Sequence, residues 1–185
     1  MIGFNEDKFK SYIEPQLKRG RAGDWEHSQR VVKWVKELGE GRDDLPLLII
    51  AGYVHDIGWR DVVGQKLLSV DEILKYEPQA NKNTRPFITE ILKKFDYSDE
   101  DIEKVVRLVN AADAHHSNAD DEMVLVDADN LSKLNMGHIS EKFEKSDWKR
   151  VYNELWMRDI PKAIKTDKGK KIYPQLMEEM RKIIL

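Results

Sequence analysis

Leu45-Pro46-Leu47-Leu48-Ile49-Ile50-Ala51-Gly52-Tyr53-Val54-His55-Asp56-Ile57-Gly58 contains the most apolar run of the chain, and that run ends on an imidazole and a carboxylate. Leu45 to Val54 is about half the length a membrane span needs. It carries apolar side chains on every side, so it reads as the central buried helix of a bundle, with Pro46 in its first turn, where proline is tolerated. A histidine and an aspartate at the end of such a helix are costly to bury unpaired. A divalent cation would satisfy both, since it takes neutral imidazole nitrogen together with carboxylate oxygen. Adjacent helical residues point about 100° apart, so one ion would need the pair at a helix end, where Gly58 permits a turn. The same pair also admits a reading without metal, in which Asp56 caps or salt-bridges and His55 is hydrogen-bonded in the core.

Outward from this helix, apolar residues recur at helical rather than strand spacing, and the chain predicts an all-α, single-domain helical bundle of about eight helices over residues 1–185. The core is expected over about 24–137, with an N-terminal helix at 6–18 and C-terminal helices over 146–184 packed on it. The first helix is expected to bend or break at Pro15. The second opens at Asp24 as N-cap and ends near Gly39, with His27, Val31, Val35 and Leu38 on one face. Trp59 to Ser69 reads as irregular, Val70 to Glu77 as helix, Pro78 to Arg85 as loop, and the residues to Lys94 as helix again. Ser98 with Asp101 marks the start of a helix whose inner side is Ile102, Val105, Val109, Ala112 and His116. Further helices are expected over Val124–Leu134, Ser146–Lys165 and Lys168–Ile184.

Composition narrows the chemistry. The 185 residues contain 31 basic and 34 acidic side chains, too even a balance for a broad nucleic-acid or membrane footprint. Cysteine is absent, which excludes disulfides, zinc–thiolate sites and a cysteine nucleophile. Met1 to Glu14 carries charges and no apolar h-region of a signal peptide, so the expected compartment is the cytoplasm.

Three buried-polar features then stand together: His27 on an apolar face, the His55-Asp56 pair, and Asp127 and Asp129 inside Val126-Asp127-Ala128-Asp129-Asn130-Leu131. Taken singly, each has a bland reading as a satisfied core group. In this order they resemble the HD superfamily of metal-dependent phosphohydrolases. The resemblance extends to His27-Ser28-Gln29-Arg30-Val31, to the region from Asp99 through His115-His116-Ser117, and to Lys165-Thr166-Asp167-Lys168-Gly169-Lys170, as in small single-domain members.

The resemblance implies His27, His55, Asp56 and Asp129 as metal ligands. Asp129 is preferred over Asp127 because Ala128-Asp129-Asn130-Leu131 matches the family's context. It implies one divalent metal (Mn, Fe, Co, Ni, Zn or Mg) and hydrolysis of a phosphorylated small molecule, a nucleotide foremost, by a metal-activated water. Asp56 and Asp127 are the candidate proton acceptors. Arg30, Trp59, Arg60, His116 and Lys133 are candidates to bind substrate. His115 is expected to be exposed, and His138, after Gly137 in an expected turn, is assigned no role. Two departures stand out. Trp59 replaces the lysine that follows the His-Asp-Ile-Gly run in many relatives, and no histidine lies between His55 and His115, which argues for one metal and against an iron-dependent oxygenase. The missing lysine leaves room for a non-catalytic, metal-stabilised binding module.

Overall fold

A computed structural model describes residues 4–185, and among these the chain is all-α with no strand. Residues 1–3, part of the stretch read for a leader, lie outside the described residues. The helices are α1 (Glu6–Leu17), α2 (Asp24–Leu38), α3 (Leu45–Val54), α4 (Val70–Lys94), α5 (Asp99–Asp113), α6 (Asp120–Lys133), α7 (Met136–Lys142), α8 (Trp148–Arg150), α9 (Met157–Ala163) and α10 (Asp167–Ile184). None is long and apolar enough to cross a membrane.

Helix α3 is the buried axis. Leu48 through Val54 are all buried, with α2 and α5 against it and α6 alongside. Phe9, Ile13 and Leu17 of α1, Val31, Val32 and Val35 of α2, and Ile102, Val105 and Val109 of α5 complete this core. A second cluster gathers Leu131, Ile139, Tyr152, Trp156, Met177 and Met180 from the C-terminal third. Trp34 and Leu38 of α2 pack against both.

After α3 the chain tightens into a 3-10 turn at Ile57–Trp59. A Cβ on Gly58 would run into the Ala80 carbonyl and the Thr84 hydroxyl of α4, so the turn and α4 meet at backbone distance. This approach carries the His-Asp pair at the end of α3 while α4 closes over the turn.

Five expectations need correction. Pro15 does not break α1, which Phe9, Ile13 and Leu17 pin to α2 and α3. The loop expected at Pro78–Arg85 is absent, because α4 runs unbroken through Pro78 and Pro86. Buried Ala80, Thr84, Ile88 and Ile91 hold that stretch against the Ile57–Trp59 turn and α5, and Asn83 donates to the Gly58 carbonyl at 3.2 Å. Packing here outweighs the hydrogen bonds two prolines cannot make. Asp24 is the first helical residue rather than the cap, a place held by Gly23 at φ 73°. Finally, α7 fills a stretch read as a turn, and the segment expected as one helix over Ser146–Lys165 is a 3-10, α and π succession from Lys145 to Ala163.

Candidate metal centre

Three helix ends converge. His27 stands in the first turn of α2, His55 and Asp56 follow α3, and Asp129 projects from α6, which packs against α2. His27 Nε2 lies 3.1 Å from Asp129 Oδ1 and 3.8 Å from Asp56 Oδ2; His55 Nε2 lies 3.6 Å from Asp56 Oδ2 and 3.8 Å from Asp129 Oδ1. All but Asp56 are fully buried, and Asp56 is nearly so. The donor atoms of His27, His55 and Asp56 lie within 4.8 Å of one another.

The protonation pattern leaves a specific gap. His55 Nδ1 is 2.9 Å from the Gly52 carbonyl, which can only accept, so the ring proton sits on Nδ1. Nε2 is buried and has no hydrogen-bond partner, facing carboxylate oxygens of Asp56 and Asp129 at 3.6 and 3.8 Å. Burial pushes His27 down to about 3, so its ring is neutral at ordinary pH. Donors held about 2.1 Å from one ion sit roughly 3 to 3.4 Å apart, close to the separations measured. A nitrogen–oxygen set without thiolate, with an orphaned imidazole nitrogen at its centre, fits a divalent cation.

Fixed cations already answer the carboxylates. Although burial works upward on Asp56, Arg21 and Lys142 hold it well below the usual carboxylate range; Arg21 Nη2 is 2.6 Å and Lys142 Nζ 3.1 Å from its Oδ2. The same two cations grip Asp24, which is wholly buried. Burial likewise works against the Asp129 anion, but Lys133, at 2.6 Å from Oδ2, and the hydrogen bond from His27 keep it ionised. Asp113, at the end of α5, has only a partial answer from Arg21. Burial, then the charges of Asp56 and Asp129, push its carboxyl up to about 8.

The remaining candidates fall in different places. Asp127 is turned from the histidines: two residues along α6 is about 200° of rotation. Its carboxylate accepts from Lys165 N, Thr166 N and Thr166 Oγ1 at 2.9, 2.8 and 2.6 Å, tethering the start of α10. Its expected proton-accepting role is therefore corrected to a structural one. Arg60 also leaves the site, donating to Gln16 and Glu90 with its guanidinium 3.6 Å over Phe87. Arg30 pairs with Glu141 at 2.6 Å. Trp59 is buried, and its face is covered by the Arg21 guanidinium at 4.0 Å rather than open as a substrate wall. Lys133 holds Asp129. His116 is not on a buried face: α5 ends at Asp113, the chain reverses at His115 with φ 52°, and His116 is exposed in a surface cleft with Arg85 and Arg107. His115 faces the site instead, half-exposed, with Nδ1 4.0 Å from Asp129 Oδ2.

Sequence reasoning missed Arg21, Asp24, Lys142, Asp113 and His138. Arg21 lies among glycines and Lys142 in a charged stretch, so neither carries a periodic signal. For His138 a cue existed: Asn135 caps α7 by accepting from His138 N at 2.9 Å.

No curated protein and no solved structure gave a significant match to the chain. Members of the HD-domain family bind divalent metals and are generally metal-dependent phosphohydrolases. The family model described as HD domain matches residues 24–134, which include every convergent residue from His27 to Asp129, and the chain belongs to that family.

Proposed function

We propose that this chain hydrolyses a phosphoester or pyrophosphate bond of a small phosphorylated compound, with nucleotides as the substrate class to test first. His27, His55, Asp56 and Asp129 would hold one divalent ion. Such an ion, when bound, lowers the pKa of a coordinated water and polarises a phosphoryl oxygen. The observation that carries the reading is the orphaned His55 Nε2, facing two ionised carboxylates beside the neutral His27 imidazole.

Charge supports an anionic substrate. Asp24, Asp56 and Asp129 are matched by Arg21, Lys133 and Lys142, so a divalent ion leaves the cluster with an excess of positive charge that an incoming phosphate would neutralise. Arg21, braced on Trp59, is the best-positioned guanidinium to grip phosphate oxygens. Asp56 is the carboxylate proposed to take the proton of the attacking water, and Asp113, protonated up to about pH 8, to give one to the departing oxygen. The nucleotide itself is the family's contribution to this reading.

One observation favours a second reading. Because Arg21, Lys142 and Lys133 already neutralise the carboxylates, the cluster is satisfied electrostatically without turnover, as a binding module requires. A panel of phosphomonoesters, phosphodiesters and nucleotides run across Mn, Fe, Co, Ni, Zn and Mg separates the two. Metal-dependent turnover that falls at least about a hundredfold in Asp56→Ala is expected, the scale for losing a group that acts in the transition state. Absence of turnover with every metal would leave the module; full activity in Asp56→Ala would remove the site assignment.

A further inference from the structure

Helix α7 begins beyond the stretch that matches the HD-domain family, yet it sends two side chains to the cluster. Lys142 reaches Asp24 and Asp56. His138 reaches the back of His27: the two Nδ1 atoms are 3.1 Å apart, the rings meet edge to face with centroids 4.6 Å apart, and both residues are buried. Two ring nitrogens at that distance need one proton between them. Two lone pairs would repel, and two N–H groups would collide.

A ligating imidazole must present a lone pair at its metal-facing nitrogen, and the neighbour of the other nitrogen decides whether it does. His55 meets this requirement through the Gly52 carbonyl, which can only accept. Among the described residues no backbone carbonyl is paired with the His27 ring. Its Nδ1 faces His138 Nδ1 and, also at 3.1 Å, Ser132 Oγ. Ser132 has a single proton, which the Asp129 carbonyl at 2.7 Å takes whenever His27 Nδ1 carries its own, so toward an Nδ1–H it can only accept, and a hydroxyl oxygen is a weaker acceptor than an imidazole nitrogen.

The geometry points to His138 as the positioning residue that fixes the His27 tautomer and so makes its Nε2 available to a metal. This rests on the metal reading above and deepens it. Without metal, His138 Nδ1–H donates to His27 Nδ1, and His27 Nε2–H donates to Asp129 Oδ1, 3.1 Å away. With Nε2 ligating, the His27 proton resides on Nδ1, His138 Nδ1 accepts it, and the His138 proton resides on its Nε2. Both rings stay neutral in either state, with the protons exchanged through solvent.

Two measurements on the full chain test this. Calorimetric titration with Mn or Zn against a competing chelator is expected to show about 10- to 100-fold weaker binding in His138→Phe, the range for removing a group that orients a metal-bound histidine. His138→Gln, which keeps an accepting oxygen, should bind nearly as the unaltered chain does, as should Ser132→Ala. Thermal melts without metal check that each variant folds. Should His138→Phe fail to fold, long-range 1H–15N spectra of the unaltered chain decide alone: His27 must change from Nε2–H to Nδ1–H on loading, and His138 from Nδ1–H to Nε2–H. Unchanged affinity in His138→Phe, a loss confined to Ser132→Ala, or a His138 tautomer indifferent to metal would overturn the assignment. Tight metal binding without phosphoester turnover would overturn the hydrolase reading and leave the positioning role standing.

Discussion

Helix α6 buries two aspartates two residues apart, and its opposite faces use them for unrelated purposes. On one face Asp129 meets two histidines and a lysine. On the other, Asp127 is saturated by three donors at the start of α10. Residue type, helix and burial are shared, so none of these distinguishes a ligand from a tether. The partners do. An acceptor surrounded by backbone N–H groups and a hydroxyl has no capacity left for a cation, whereas one held by a lysine ammonium and an imidazole N–H can exchange those partners for a metal ion.

Exchanging each carboxylate for its amide is the strongest test of that contrast. Asp129→Asn should cost at least about a hundredfold in metal affinity and turnover, with the melting temperature of the metal-free chain little changed. Asp127→Asn should invert the pattern. Its NH2 group cannot satisfy the Lys165 and Thr166 donors, and losing a charged acceptor there should cost about 3 kcal/mol of stability. The folded fraction would keep its metal affinity. Denaturant unfolding and metal titration on both variants decide it, and a stability loss in Asp129→Asn with none in Asp127→Asn would break the comparison.

The two faces should also differ in how they respond to pH. Asp113 looks toward the Asp129 side, and its carboxyl rises from the ordinary 3.8 to about 8 through burial and the charges of Asp56 and Asp129. A raised folded-state pKa means the native chain holds that proton more tightly than the unfolded chain. The stability this contributes is complete below about pH 4 and is lost as pH climbs to about 8. Metal at the cluster would offset the neighbouring charges, bring the Asp113 pKa down and flatten this decline. Unfolding measured from pH 4 to 8 should therefore show a metal-dependent slope that Asp113→Asn removes and Asp127→Asn leaves in place. A slope indifferent to both metal and Asp113 would count against this electrostatic link.

Much of this could be read in the sequence, for reasons that also explain the failures. Apolar periodicity located α2, α3, α5 and α10 because each buries a face or a whole cylinder, and Ser98 capped α5 as its side chain predicts. The prolines of α4 misled because a proline rule describes the local loss of a hydrogen bond, while the packing of Ile88 and Ile91 that outweighs it is long-range. His27 was legible as a polar residue on an apolar face and His55-Asp56 as the polar end of an apolar helix, whereas Asp129 was chosen over Asp127 from the family resemblance alone; the four do converge. His116 was misplaced by extending helical spacing one turn past Asp113, where positive φ at His115 ends it. Arg21 and Lys142 carry charges that read as surface, and only the fold shows them buried against Asp24 and Asp56.

Lys133 offers the smallest effect and the finest distinction. From sequence it is a substrate-binding candidate four residues beyond Asp129; in the fold its ammonium lies 2.6 Å from Asp129 Oδ2 and competes with any cation that the aspartate would ligate. These roles predict opposite outcomes for Lys133→Met. If Lys133 grips phosphate, KM rises and metal affinity stays. If it is the resident counter-ion of Asp129, metal binds more tightly, by less than about tenfold since the pair is partly solvated, and the metal-free chain loses stability because a buried carboxylate is left without its partner. The geometry favours the second outcome, and the same substitution has no path to Asp127, whose partners all belong to Lys165 and Thr166. Metal titration and KM measured together on Lys133→Met therefore ask whether the ligand face of α6 was built around a cation that leaves or around one that stays.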